Sequence, residues 1–196
     1  MRKIIAVIGD RWCQGNSTKA KMAFELGKAL IDNGYRVLSG GGAGIMETVM
    51  RGAKASEKYQ DGDTIAILPG FDDRDANDFA DIVIPTGLDI YRDAIVANSY
   101  AVVAIGGGVG TLNEMTFAWN FKRLMIAYTN VEGWSSKMAG EKMDQYVRYA
   151  HIPEDKVFPT SSAEETISLL NKYIDSYTER HIPIAESESN LIHHRK

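Results

Sequence analysis

Gly40-Gly41-Gly42-Ala43-Gly44 and Gly106-Gly107-Gly108-Val109-Gly110 each stand between a short apolar run and a segment with apolar residues at helical spacing. Eight of the chain's 18 glycines fall in these two clusters, although 18 is close to ordinary usage for 196 residues. A strand that ends in glycines and turns at once into a helix is the ligand-binding corner of an open α/β sheet. Glycine there permits positive φ and lets a ligand approach the main chain. The helix start behind it presents free N–H groups and the positive end of the helix dipole.

The rest of the chain repeats the alternation. Strands are expected at Lys3–Ile8, Tyr35–Leu38, Thr64–Leu68, Ile82–Ile84, Ala101–Ile105 and Leu124–Ala127. Helices are expected at Thr18–Asn33, about Ile45–Ala55, Leu88–Asn98, about Leu112–Phe121 and Glu141–Ala150. A last helix follows Ser162-Ala163-Glu164-Glu165, which has capping-box spacing. The acidic segment Phe71–Ala80 and the polar segment Thr129–Gly140 read as loops. The strands are continuous apolar runs, which fits strands buried on both faces. The expectation is a Rossmann-like open parallel sheet with helices on both faces, in a single domain over residues 1–180. A loose tail is expected over 181–196, including His193-His194.

Composition limits the function. Lys+Arg 22 against Asp+Glu 26 gives a net charge of −4, which argues against nucleic acid as a partner. A bound anion must therefore be met locally, by backbone N–H groups and a few arginines. The single cysteine, Cys13, excludes a disulfide framework, and no apolar stretch is long enough to span a membrane. A cytoplasmic protein without metal or cofactor is the expectation. Neither cluster is followed by Gly-Lys-Ser/Thr, and the first strand ends in Gly9-Asp10-Arg11 rather than a dinucleotide fingerprint. A conventional ATPase or NAD enzyme is therefore not indicated.

Gly107-Gly108-Val109-Gly110-Thr111-Leu112-Asn113-Glu114 resembles the Pro-Gly-Gly-x-Gly-Thr-x-x-Glu motif of the LOG (LONELY GUY) family, often labelled lysine decarboxylase-like. Gly40-Gly41-Gly42-Ala43-Gly44-Ile45-Met46 is similar to that family's Gly-Gly-Gly-x-x-Gly-Leu-Met segment. Asn77, Pro85-Thr86-Gly87 and Arg92, followed by Ala104–Gly108, look closer still to the branch of molybdenum-cofactor carrier proteins. The resemblance runs from about Ile4 to Tyr128.

That resemblance implies a homodimer or homotetramer with a nucleoside 5′-monophosphate site at the strand ends. In the hydrolase members the reaction is N-glycosidic cleavage to free base and ribose 5-phosphate. By position, Arg92 and Glu114 match the catalytic pair. Gly41, Gly42, Gly44, Met46, Gly107, Gly108, Gly110 and Thr111 match the phosphate- and nucleotide-binding segments. Two activities follow: a phosphoribohydrolase, or a non-catalytic carrier of a phosphorylated ligand such as molybdenum cofactor or a nucleotide.

The chain departs from the family pattern at three points. Gly106 stands in place of proline, and Asp10 in place of serine. Asp93 stands where the hydrolases carry lysine and the carrier branch asparagine. An Asp10 carboxylate beside a phosphate is unfavourable unless it points away or meets a cation.

Overall fold

The computed structural model describes residues 1–179. Seven parallel strands form one sheet: β1 (Ile4–Gly9), β2 (Arg36–Ser39), β3 (Thr64–Leu68), β4 (Ile82–Pro85), β5 (Ala101–Ile105), β6 (Leu124–Tyr128) and β7 (Val157–Thr160). Their spatial order is β4-β3-β2-β1-β5-β6-β7. The chain builds outward from β1 to β4, then returns to the other side of β1 with β5. The order reverses between β1 and β5, and a crevice opens at such a switch point beyond the carboxyl ends of the strands.

Among the described residues six helices cover the sheet: α1 (Thr18–Asp32), α2 (Ile45–Lys54), α3 (Asp93–Ala97), α4 (Val109–Asn120), α5 (Trp134–Met138) and α6 (Ala163–Tyr173). Alternation along β1 sorts the two cores. Ile5 and Val7 pack with Ala23, Leu26, Val49 and Leu170 from α1, α2 and α6. Ala6 and Ile8 pack with Val96, Met115, Ala118 and Trp119 from α3 and α4. Both faces of β1 are thus sealed, which explains its unbroken apolar run.

Local signals set the helix ends. Ser17 caps α1 by accepting from the Ala20 N–H, and Ser162 caps α6 by accepting from the Glu165 N–H. Glu165 completes the α6 start by accepting from the Ser161 N–H at 2.7 Å, one residue outside the expected box geometry.

Three expectations differ from the structure. Residues 141–150 are not helical: Arg148 is drawn inward, forms a bidentate pair with Asp155 (2.6 and 2.9 Å) and lies 3.6 Å over the Trp119 ring. That buried anchor overrides the helical spacing of the segment. The polar segment after β6 contains the short helix α5, and β7 is an edge strand that tolerates Pro159. The expected helix over Leu88–Asn98 is a single 3-10 turn, Asp89–Arg92, leading into α3. The expected tail from His181, with His193-His194, lies outside the described residues. Among the described residues no helix is long and apolar enough to cross a membrane.

Candidate functional site

The crevice at the switch point holds a cavity of about 340 Å³. Its wall combines the end of β1 and the residues beyond (Gly9, Asp10, Arg11) with Gly40, Met46, Arg92, Asp93, Gly108, Gly110, Thr111 and Glu114. A second lobe of about 340 Å³ shares Arg11, Gly40, Met46 and Arg92 with the first and extends over Gly42, Leu68, Pro69 and Asp75.

The second glycine cluster is a rigid turn. Gly106 and Gly107 have φ of 66° and 94°, so both need glycine. A Cβ on Gly107 would fall 2.3 Å from Thr111 Oγ1. The turn is braced from behind by α5. The N–H groups of Trp134 and Ser135 donate to the Gly107 and Gly106 carbonyls, both at 2.9 Å. The Gly106 N–H donates to Ser135 Oγ at 2.8 Å, and Ser135 Oγ donates to the Tyr128 carbonyl at 2.9 Å. Gly108 caps α4, and nothing lies within 4 Å of a Cβ built at Gly108 or Gly110. The first N–H groups of α4 have no acceptor within the helix and sit in the exposed Gly108–Gly110 stretch. This is an anion cradle of backbone donors.

One turn into α4, Glu114 reaches the same cavity. Arg92 Nη1 donates to Glu114 Oε1 at 3.1 Å and lies 3.3 Å from Asp93 Oδ1. Asn113 Nδ2 donates to Asp93 Oδ2 at 2.9 Å. One guanidinium therefore serves two carboxylates, all with side chains at most 14% exposed. Burial raises the Glu114 carboxyl to about 8; Arg92 opposes that shift and Asp93 adds to it. Arg92 Nε is buried without an acceptor.

Of the residues singled out in the sequence, the structure brings Arg92, Glu114, Gly108, Gly110, Thr111 and Met46 to one cavity. Gly42 lines the second lobe. Gly41, Gly44 and Gly107 line neither cavity and shape the turns instead. Gly44 caps α2 with φ 69°, and a Cβ there would lie 2.4 Å from the Asp10 carbonyl. Asp10 is met by a cation: Lys19 Nζ donates to its Oδ2 at 2.6 Å.

Ser135 is invisible in the motifs, and for Asn77 and Asn113, which stand in them, the motifs do not announce the role. Ser135 braces a turn from 29 residues away, and Asn113 orients Asp93 from 20. Asn77 donates from its backbone N–H (2.8 Å) and Nδ2 (3.0 Å) to the Gly41 carbonyl, and from Nδ2 to that of Gly42 (3.1 Å). The one local hint at Ser135 was Gly133, whose φ of 135° and close approach to Gly106 require glycine.

A sequence profile for LDcluster4, the SLOG cluster4 family, matches residues 2–165. An uncharacterized protein of Archaeoglobus fulgidus is 36% identical over 115 residues, 58% of this chain and 72% of that protein. Among solved structures, the molybdenum cofactor binding protein of the phototrophic bacterium Rippkaea orientalis is 31% identical with a TM-score of 0.72; the match covers 89% of this chain and 98% of that one. The molybdenum cofactor carrier protein of Chlamydomonas reinhardtii is 27% identical with a TM-score of 0.69, covering 89% and 99%.

Proposed function

The chain belongs to the SLOG cluster4 family, and from that premise we propose that it binds and carries a phosphorylated, nucleotide-like small molecule without cleaving it. The ligand's phosphate sits on the open N–H groups of Gly108–Thr111, at the positive end of α4. Arg92, held in the same cavity, adds a positive charge beside that backbone cradle. Molybdenum cofactor and nucleoside monophosphates both have the required phosphate. The similarity to proteins described as binding and carrying molybdenum cofactor supports the carrier reading.

The observation that carries this reading is the setting of Glu114, buried in the cavity wall and sharing one guanidinium, Arg92, with a second carboxylate, Asp93. With its carboxyl raised to about 8, Glu114 is mostly protonated at pH 7. A neutral carboxyl is neither a nucleophile nor a counter-charge for an oxocarbenium-like centre. Asp93 shares the Arg92 guanidinium with Glu114.

One feature favours a second reading, phosphoribohydrolase activity. A protonated Glu114 in the same cavity as the cradle is a general acid that could donate to a departing base. Incubation of the folded chain with a panel of nucleoside monophosphates separates the two. The carrier reading expects thermal stabilisation with no free base; release of base at catalytic rates overturns it. Stabilisation of about 2.7 kcal/mol is expected at a ligand concentration 100 times Kd.

A further inference from the structure

Asp10 puts a carboxylate into the wall of a cavity suited to an anion. It lines the same cavity as Gly108, Gly110 and Thr111. A negative charge beside a phosphate weakens its binding, so this residue acts against the cradle it adjoins.

The placement of Asp10 is built into both glycine turns. Its carbonyl accepts from the Ile45 N–H at 3.0 Å, at the start of α2. Its Oδ2 accepts from Lys19 Nζ at 2.6 Å, with the two side chains 25% and 24% exposed. That pair rests on Gly106: a Cβ there would lie 2.2 Å from Asp10 Oδ2 and 2.8 Å from Lys19 Nζ. Gly106 also has φ of 66°, which a proline ring forbids. Aspartate at position 10 and glycine at position 106, two departures from the LOG pattern, are therefore one structural change. Lys19 gains nothing from its own helix. It stands in the first turn of α1, where the positive end of the dipole disfavours a cation, and no acidic residue shares that turn. Its ammonium serves Asp10.

One oxygen of Asp10 is left over. Oδ1 accepts no hydrogen bond from the described residues. Lys19 already meets the charge, so Oδ1 lacks a hydrogen and not a second cation. A neutral O–H of a ligand supplies it. Arg11, exposed on the same wall, attracts phosphates without sorting them.

We propose that Asp10, held by Lys19, is a specificity-determining residue that accepts from a hydroxyl of a polyhydroxylated phosphate ester and turns away bare phosphate and simple alkyl phosphates. This rests on the phosphate reading of the Gly108–Thr111 cradle and deepens it. The repulsion falls on every phosphate alike, and only a ligand with a hydroxyl in reach of Oδ1 recovers the loss. Inorganic phosphate, a competitor for any cradle of backbone N–H groups, is thereby kept out.

Calorimetric titration of the full chain with inorganic phosphate, methyl phosphate and ribose 5-phosphate tests the proposal. Ribose 5-phosphate should bind the parent at least about tenfold more tightly than methyl phosphate. In Asp10→Asn, and in Asp10→Ser as a second variant, inorganic and methyl phosphate should each tighten about tenfold, and the advantage of ribose 5-phosphate should shrink. A gain in affinity cannot come from a damaged fold, so a purely structural role for Asp10 does not mimic this result. Unchanged or weaker methyl phosphate binding in both variants overturns the proposal and leaves the cradle standing, as does a ribose 5-phosphate advantage that survives intact in both. Absence of binding by all three phosphates, in the parent and in both variants, removes the cradle and this proposal with it.

Discussion

Arg92 and Glu114 meet across the cavity at 3.1 Å, one from the turn before α3 and the other from the first turns of α4. The same Arg92 nitrogen is 3.3 Å from Asp93, so the pair is in fact a three-charge cluster with one negative charge in excess. Removing that excess with a proton on Glu114 is what ties the site to pH.

The folded chain holds the Glu114 proton up to about pH 8, against a carboxyl of 4.5 in the unfolded chain. The linked stability is fully present below pH 4.5 and is lost as pH rises toward 8. Glu114→Gln should abolish that decline, so its melting temperature relative to the parent should climb between pH 5 and pH 8. A constant difference over that range would refute the assignment. Asp93→Asn should move the parent's decline to lower pH, because the Asp93 charge helps raise Glu114, and Arg92→Ala should move it higher.

Gly110→Ala separates binding from folding. No heavy atom lies within 4 Å of a Cβ built there, and alanine in a helix is favoured over glycine by about 0.5–1 kcal/mol. The variant should melt no lower than the parent while its affinity for ribose 5-phosphate falls, because the new methyl group shields the cradle's N–H groups. Gly107→Ala is expected to lose both properties, since its φ of 94° and the Thr111 contact leave no room for a side chain.

Ser135→Ala should destabilise the chain by about 1–3 kcal/mol, because it leaves the buried Gly106 N–H and Tyr128 carbonyl without their shared partner. Chemical denaturation reads this as a lower midpoint at unchanged slope. Phosphate affinity should fall with it, because the brace behind the second glycine turn is gone.

A homodimer or homotetramer remains our reading of the assembly. Ile90 (64% exposed), Tyr91 (74%) and Ile95 (42%) flank Arg92 and leave an apolar surface beside the site. Ile90→Glu with Ile95→Glu should shift the chain toward monomer in light scattering. A parent that is already monomeric would refute this reading.

Much of this was legible in the sequence, and the reason is local. Apolar runs closed by glycine predict β1, β2, β3 and β5, and the second motif delivers Thr111 and Glu114 to the cavity at their expected place. Illegible were relationships whose partners lie far apart in the chain. Nothing near Asp93 announces that Asn113 will orient it, and Ser135 looks like an ordinary loop serine until Gly106 arrives beside it. Residues 141–150 misled for the same reason: a buried pair between Arg148 and Asp155, set against Trp119, outweighs ten residues of helical spacing.

The sheet order also fixes when the site can exist. Gly9 pairs with Ile105, so the strand ends that floor the cavity come from opposite sides of a long excursion through β2, β3 and β4. A chain emerging from the ribosome can complete its first glycine turn early, but it has no cradle until β5 and α4 have followed. Closing that loop is a slow, non-local event in folding. The ligand can therefore stabilise only the finished domain, and its presence during synthesis should slow unfolding without speeding the early steps of assembly.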